Sequence, residues 1–193
     1  MSWIEVETKV KLNNSQIHEL RKRIKQIATL KKKGTKSDNY FAIQEKGFPK
    51  KALRFRTIGN KIELTFKKHL KYLWTKKVIV KQEFEFNLKN KNNMNDLIKL
   101  FQDFGFKKWI TKIKRNETYE HKKNKNISIE INHVKHLGYF IEIEYLCQKK
   151  DTKKATNAII KTLKELEIDP NQIDNTGYTK MLWDKKIKIK TND

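Results

Sequence analysis

Residues 4–12 alternate with a period of two. Ile4, Val6, Thr8, Val10 and Leu12 fall in one parity and Glu5, Glu7, Lys9 and Lys11 in the other, so a strand here has an apolar face and an ionic face. The alternation returns along the chain. Residues 51–58 set Arg54 and Arg56 against Leu53 and Phe55, and residues 61–68 set Glu63, Thr65 and Lys67 against Ile62, Leu64 and Phe66. Gly59-Asn60 between them suits a two-residue hairpin turn, since both residues tolerate positive φ. Residues 78–88 oppose Lys81, Glu83 and Glu85 to Gln82, Phe84 and Phe86. Residues 127–132 oppose Ser128, Glu130 and Asn132 to three isoleucines, and 139–147 oppose Phe140, Glu142 and Glu144 to Tyr139, Ile141, Ile143 and Tyr145. Residues 37–43 and 109–121 complete a set of about eight strands, mostly antiparallel.

Helical spacing appears between them. Ile17, Leu20, Ile24 and Ile27 predict a helix from a cap at Asn14 or Ser15 to about residue 31, stopped by Lys31-Lys32-Lys33 and Gly34. A polar linker at 90–95 leads into a second helix marked by Met94, Leu97, Ile98, Phe101 and Phe104 and ended by Gly105. Ala155, Ile159, Leu163 and Leu166 form the inward stripe of a third, over 152–167, and Tyr178, Met181 and Leu182 mark a short fourth. Residues 1–184 read as one domain without repeats, and 185–193 as a frayed basic tail.

Charge sharpens this picture. Lys+Arg is 45 and Asp+Glu is 22, a net charge of +23, which keeps nucleic acid in view as a non-specific polyanion partner. The lysines are spread over every segment, however, and only Arg21, Arg23, Arg54, Arg56 and Arg115 are arginines. In a lysine-rich chain an arginine points to a site that needs its planar fork. Arg21 and Arg23 fall among exposed lysines and read as a solvated face. No run of about 18 apolar residues predicts a membrane span, no signal peptide is visible, and the lone Cys147 reads as a buried reduced thiol, so the expected location is the cytoplasm.

Helices with one apolar stripe each can cover the sheet's apolar face. A twisted eight-stranded sheet then curls with its ionic faces inward, and the expected fold is α+β, an antiparallel barrel with a polar lumen. Such a lumen is tolerable only if its charges pair with each other, with metal or with an anionic ligand. The acids available are Glu5, Glu7, Glu83, Glu85, Glu130, Glu142 and Glu144, and the bases Lys9, Lys11, Arg54, Arg56, Lys67, Lys81 and the 112–115 group.

Glu5-Val6-Glu7-Thr8-Lys9 resembles the N-terminal Glu-x-Glu-x-Lys signature of the CYTH superfamily, the triphosphate tunnel metalloenzymes. The resemblance continues in order through Asp38-Asn39-Tyr40-Phe41, Ala52-Leu53-Arg54-Phe55-Arg56, Leu64-Thr65-Phe66-Lys67, Glu83-Phe84-Glu85, Phe104-Gly105-Phe106, Lys114-Arg115 and the run from Leu137 to Glu144. It implies a tunnel that binds a triphosphate and Mg²⁺ or Mn²⁺. It implies Glu5, Glu7 and Glu142 as metal ligands, Lys9, Arg54, Arg56 and Lys67 as a phosphate cradle, and Glu83 and Glu85 as further acids for metal or attacking water. A basic pair two residues apart is implied after the Gly105 helix. Parity favours Lys112 with Lys114, whereas the rarity of arginine favours Arg115. Asn132 departs from the pattern, standing where many members carry aspartate. The resemblance implies action on a triphosphate without separating hydrolysis from cyclisation; with no adenine-binding motif in the lumen set and Asn132 in place of an acid, the expected activity is metal-dependent hydrolysis of an inorganic or organic triphosphate. The alternatives are a class IV-type adenylyl cyclase and a non-catalytic binder of polyphosphate or RNA. A homodimer is compatible with the sequence, and no membrane partner is expected.

Overall fold

The computed structural model describes residues 2–43 and 47–185. Eight strands, β1 (Ser2–Leu12), β2 (Ala28–Ile43), β3 (Leu53–Ile58), β4 (Lys61–His69), β5 (Ile79–Leu88), β6 (Phe106–His121), β7 (Ile127–Val134) and β8 (Gly138–Cys147), close into an antiparallel barrel in the order β1-β5-β4-β3-β2-β6-β7-β8. Four helices flank it: α1 (Gln16–Ile27), α2 (Lys91–Asp103), α3 (Thr152–Glu165) and α4 (Tyr178–Asp184).

The alternating strands decide which way the wall faces. Ile4, Val6 and Val10 of β1, Ile129 and Ile131 of β7, and Ile141 and Ile143 of β8 point outward. There they meet Ile17, Leu20 and Ile24 of α1 and Ala155, Ile159 and Leu163 of α3 in the main core. Cys147 is half-buried against the same core. The α2 stripe, Met94, Leu97, Ile98 and Phe101, covers Phe41, Phe55 and Leu64 on the opposite side. Near one end the lumen turns apolar, and Tyr178 and Leu182 of α4 pack there against Ile110, Val134 and Phe140.

Several boundaries differ from expectation. The first helix stops at Ile27, and residues 28–36 belong to a 16-residue strand paired along β6. Gly34 is therefore no helix cap; it lies opposite Asn116. Residues 29–33 are exposed on both faces, so no apolar alternation announced the strand. The second helix begins at Lys91, capped by Asn90, whose side chain accepts from the Asn93 N–H. β7 runs on to Val134, and His136 (φ 69°) with Gly138 (φ 95°) supplies the left-handed backbone of the turn into β8. Lys11 is exposed rather than inside, because Phe140 opposite it and α4 fill that end of the barrel. The predicted tail, Lys185 apart, lies outside the described residues.

Candidate functional site

Closing the barrel gathers the ionic parities into one cavity of about 350 Å³. Register sets its chemistry. Opposite one another stand Glu5 and Lys81, Lys9 and Glu142, Lys67 and Glu83, and Asp38 and both Arg56 and Lys112. The charges are unevenly distributed. β1, β7 and β8 bring Glu5, Glu7, Glu130, Glu142 and Glu144 with Lys9 among them, β2, β3, β4 and β6 bring Lys36, Arg54, Arg56, Lys67, Lys112 and Lys114 around Asp38, and β5 mixes Lys81 with Glu83 and Glu85.

On the cationic wall Asp38 is the organiser. It is 0% exposed, accepts from Arg56 Nε and a second guanidinium nitrogen at 2.6 and 2.9 Å, and lies 2.9 Å from Lys112 Nζ. Burial pushes its carboxyl up, but Lys112 and Arg56 overcome this and hold it well below its usual range. Lys112 also donates to the Tyr40 hydroxyl at 3.1 Å. Arg54 donates to Thr65 Oγ1 at 2.8 Å, and its Nε is buried without a hydrogen-bond partner among the described residues.

The acidic wall is partly paired and partly crowded. Glu130 accepts from Lys36 and Lys114, each at 2.9 Å, and these cations hold it well below its usual range against burial. Lys81 Nζ lies 2.5 Å from Glu7, and Lys67 pairs with Glu5 at 2.9 Å and with Glu83. Burial pushes Glu7 up to about 7, with the Glu5 charge adding to it and Lys81 opposing. Glu144 is raised well above the carboxylate range by burial and then by Glu5, Glu130, Glu142 and Glu7 around it. It belongs to two groups whose carboxylate oxygens lie within 4.8 Å of one another, Glu5-Glu7-Glu144 and Glu130-Glu142-Glu144. Asn132, 0% exposed, donates to Glu142 at 2.6 Å and Glu130 at 3.2 Å, leaving its Oδ1 buried without a partner among the described residues. Crowded carboxylates beside a spare carbonyl oxygen form a hard donor set, the kind that suits Mg²⁺ or Mn²⁺. The residues present therefore fit a divalent cation.

Glu5, Glu7, Lys9, Arg54, Arg56, Lys67, Glu83, Glu85, Lys112, Lys114 and Glu142 all line this cavity. Arg115 does not. β6 alternates, so Arg115 points out beside its inward neighbour Lys114, into a separate cavity of about 250 Å³ with Arg21, Glu117, His133 and Tyr139. Parity was the better guide than rarity. Sequence reasoning assigned no site role to Lys36, Asp38, Lys81, Glu130 or Glu144. Alternation had turned Lys81, Glu130 and Glu144 inward. Lys36 and Asp38 share the parity of Tyr40, which was the available signal.

The family model described as CYTH domain matches residues 3–178. A search of curated proteins found no match. Among solved structures, the PH1819 protein of Pyrococcus horikoshii OT3 is 24% identical, with a TM-score of 0.75 over 94% of this chain and 99% of that one. A Vibrio parahaemolyticus protein described as a proposed adenylate cyclase is 13% identical, with a TM-score of 0.76 over 95% and 99%. A Hippeastrum protein described as a proposed adenylyl cyclase with a dominant triphosphatase activity is 16% identical, with a TM-score of 0.54 over 96% and 97%.

Proposed function

The chain belongs to the CYTH domain family, and from that premise we propose that it is a metal-dependent enzyme that hydrolyses a triphosphate. One observation carries this reading: a closed lumen in which most glutamates crowd β1, β7 and β8 while most cations lie on β2, β3, β4 and β6. Carboxylates repel phosphate, so an acidic wall facing a phosphate-binding wall makes chemical sense when a cation lies between them. The Hippeastrum protein's triphosphatase activity agrees with it.

In this reading Glu5, Glu7, Glu142 and Glu144, with Glu130 and the Asn132 carbonyl near them, hold Mg²⁺ or Mn²⁺. When bound, that ion neutralises phosphate charge and polarises the phosphoryl group. Arg54 and Arg56 present forks that grip phosphate oxygens in pairs. Lys9, Lys67, Lys112 and Lys114 add point charge where negative charge spreads in the transition state. Most of these cations already lean on lumen carboxylates, so substrate exchanges one set of anionic partners for another in a site arranged beforehand. Glu83 and Glu85 of β5 are the carboxylates that orient the attacking water.

Product analysis with tripolyphosphate and ATP, each with Mg²⁺ or Mn²⁺, tests the proposal. Hydrolysis yields orthophosphate and a diphosphate. Cyclic AMP and pyrophosphate from ATP would replace the hydrolase with a cyclase in the same tunnel.

A further inference from the structure

The outward parity of β6 faces the second cavity, about 250 Å³ on the outside of the barrel. Register builds one edge of it as a row across four strands. Thr35 of β2 stands opposite Arg115 of β6, Arg115 opposite His133 of β7, and His133 opposite Tyr139 of β8. Paired residues of antiparallel strands share a face, so these four side chains stand side by side. In the next row but one along β6, Lys33 stands opposite Glu117, and Arg21 reaches over from α1.

The cavity brings together three fixed cations, Arg21, Lys33 and Arg115, and one carboxylate among the described residues. That carboxylate is already occupied. Glu117 accepts two hydrogen bonds of 3.0 Å from Arg21 and one of 2.8 Å from the Tyr119 hydroxyl, and lies 3.4 Å from Lys33 Nζ. Arg115 has no carboxylate beside it. Among the described residues its one side-chain hydrogen bond is a 3.5 Å approach of a guanidinium nitrogen to His133 Nδ1, at the long limit for such a bond. The Tyr139 ring, 4.5 Å from that of His133, braces the imidazole. Arg21, Arg23 and Arg56 all pair with carboxylates, and Arg54, which does not, faces the lumen. Arg115 is the arginine outside the lumen whose fork is left open, and it opens onto a cavity.

We propose that Arg115, His133, Thr35 and Lys33 form an outer binding site for a phosphate group, carried as orthophosphate or as a phosphomonoester. The Arg115 fork takes two phosphate oxygens, the Thr35 hydroxyl and the imidazole N–H serve the third, and Lys33 adds point charge. A carboxylate has only two oxygens and would leave part of this donor set idle. Arg21 takes no part in the contact; it keeps Glu117 from repelling the ligand. The site stands whatever the lumen turns over, since it shares no side chain with it.

Amide-resolved NMR of the whole chain, in EDTA to prevent metal-bridged binding in the lumen, tests this by titration with orthophosphate, with AMP and with chloride at matched ionic strength. Orthophosphate, AMP or both should shift the amides of Thr35, Arg115, His133 and Tyr139 saturably, and chloride should not. Arg115→Gln should weaken that binding at least about tenfold, and Arg115→Lys, which keeps the charge and loses the fork, should weaken it less. Arg54→Lys, inside the lumen, should leave it unchanged. Tighter binding of AMP would assign the site to a phosphomonoester, and equal binding to the bare phosphate group. Shifts confined to lumen residues, shifts reproduced by chloride, or undiminished binding in a folded Arg115→Gln would overturn the site. Arg115 is exposed and bears no carboxylate pair, so the variant should melt with the native chain.

Discussion

Arg21 and Arg56 each grip a carboxylate with two guanidinium nitrogens, although only Arg56 does so where its position suggested a site. Arg21 grips Glu117 with two bonds of 3.0 Å, joining α1 to β6, and Arg23 ties α1 to the end of α3 through the Leu166 carbonyl and Glu167. The expectation of a plain solvated face for this pair was therefore wrong. Arg21→Lys should cost about 1 kcal/mol of stability, since the pair is ion-paired but over a third exposed, and should leave kcat/KM within about twofold. Arg54→Lys should do the reverse, lowering kcat/KM about a hundredfold with little change in melting temperature. Equal kinetic effects would remove Arg54 from the phosphate cradle. Asp38 makes a different kind of prediction. Replacing it with Ala leaves Arg56 and Lys112 without their shared buried counter-charge, at a cost of about 3–5 kcal/mol in denaturant unfolding. A loss below 1 kcal/mol would show that these cations find other partners.

Residue pairing also sets a pH dependence. Glu7 in the folded protein is pushed up to about 7 from its usual 4.5. A raised carboxyl stabilises the fold below its unfolded value, and that contribution is lost as pH rises through about 7. A divalent cation competes with the same proton. The rise in melting temperature on adding Mg²⁺ or Mn²⁺ should thus be larger at pH 8 than at pH 5.5. A rise that is flat or reversed over this range would place the ion elsewhere.

At the scale of elements, what could be read from the chain was periodicity enforced by burial. Lys11 and the exposed Phe86 apart, β1, β3, β4, β5 and β8 face as their alternation said, because one side of each meets a helix or core and the other meets charge. Where burial does not act, the sequence was silent. Residues 28–36 are strand only because β6 offers a long partner, and Lys31, Lys32 and Lys33 face water while Lys36 turns into the lumen. The bulge at Trp109 left no period to detect, since it exists through a mismatch between two strands. The inward glutamates were legible from parity, but the convergence of Glu144 on two carboxylate groups needed the closed barrel. Helix α2 carries the prediction here. Its N-cap Asn90 accepts from Asn93 at 3.0 Å, so Asn90→Ala should lower stability by about 1 kcal/mol without altering turnover. No change in the melting curve would mean that packing of the α2 stripe alone holds its first turn.

The whole molecule is a basic chain wrapped around a lumen that nearly balances its own charge. Its net charge of +23 lies mostly outside, where salt screens it, whereas the lumen pairs are shielded from solvent. Binding of RNA to the outer surface should therefore weaken steeply between 50 and 200 mM salt, about a thousandfold if six phosphates are contacted. Binding in the tunnel should change far less. Among the described residues, no helix is long and apolar enough to cross a membrane.

The most direct measurement is orthophosphate release from tripolyphosphate, ATP and thiamine triphosphate by the native chain and Glu144→Gln, with Mg²⁺, with Mn²⁺ and with EDTA. Release from at least one substrate with a metal, its disappearance in EDTA, and a loss of at least about a hundredfold in a folded Glu144→Gln are expected. Undiminished release in EDTA would contradict a metal between the two walls. Failure of all three substrates with either metal, alongside tight metal-free binding of RNA, would make the lumen a polyanion-binding groove instead.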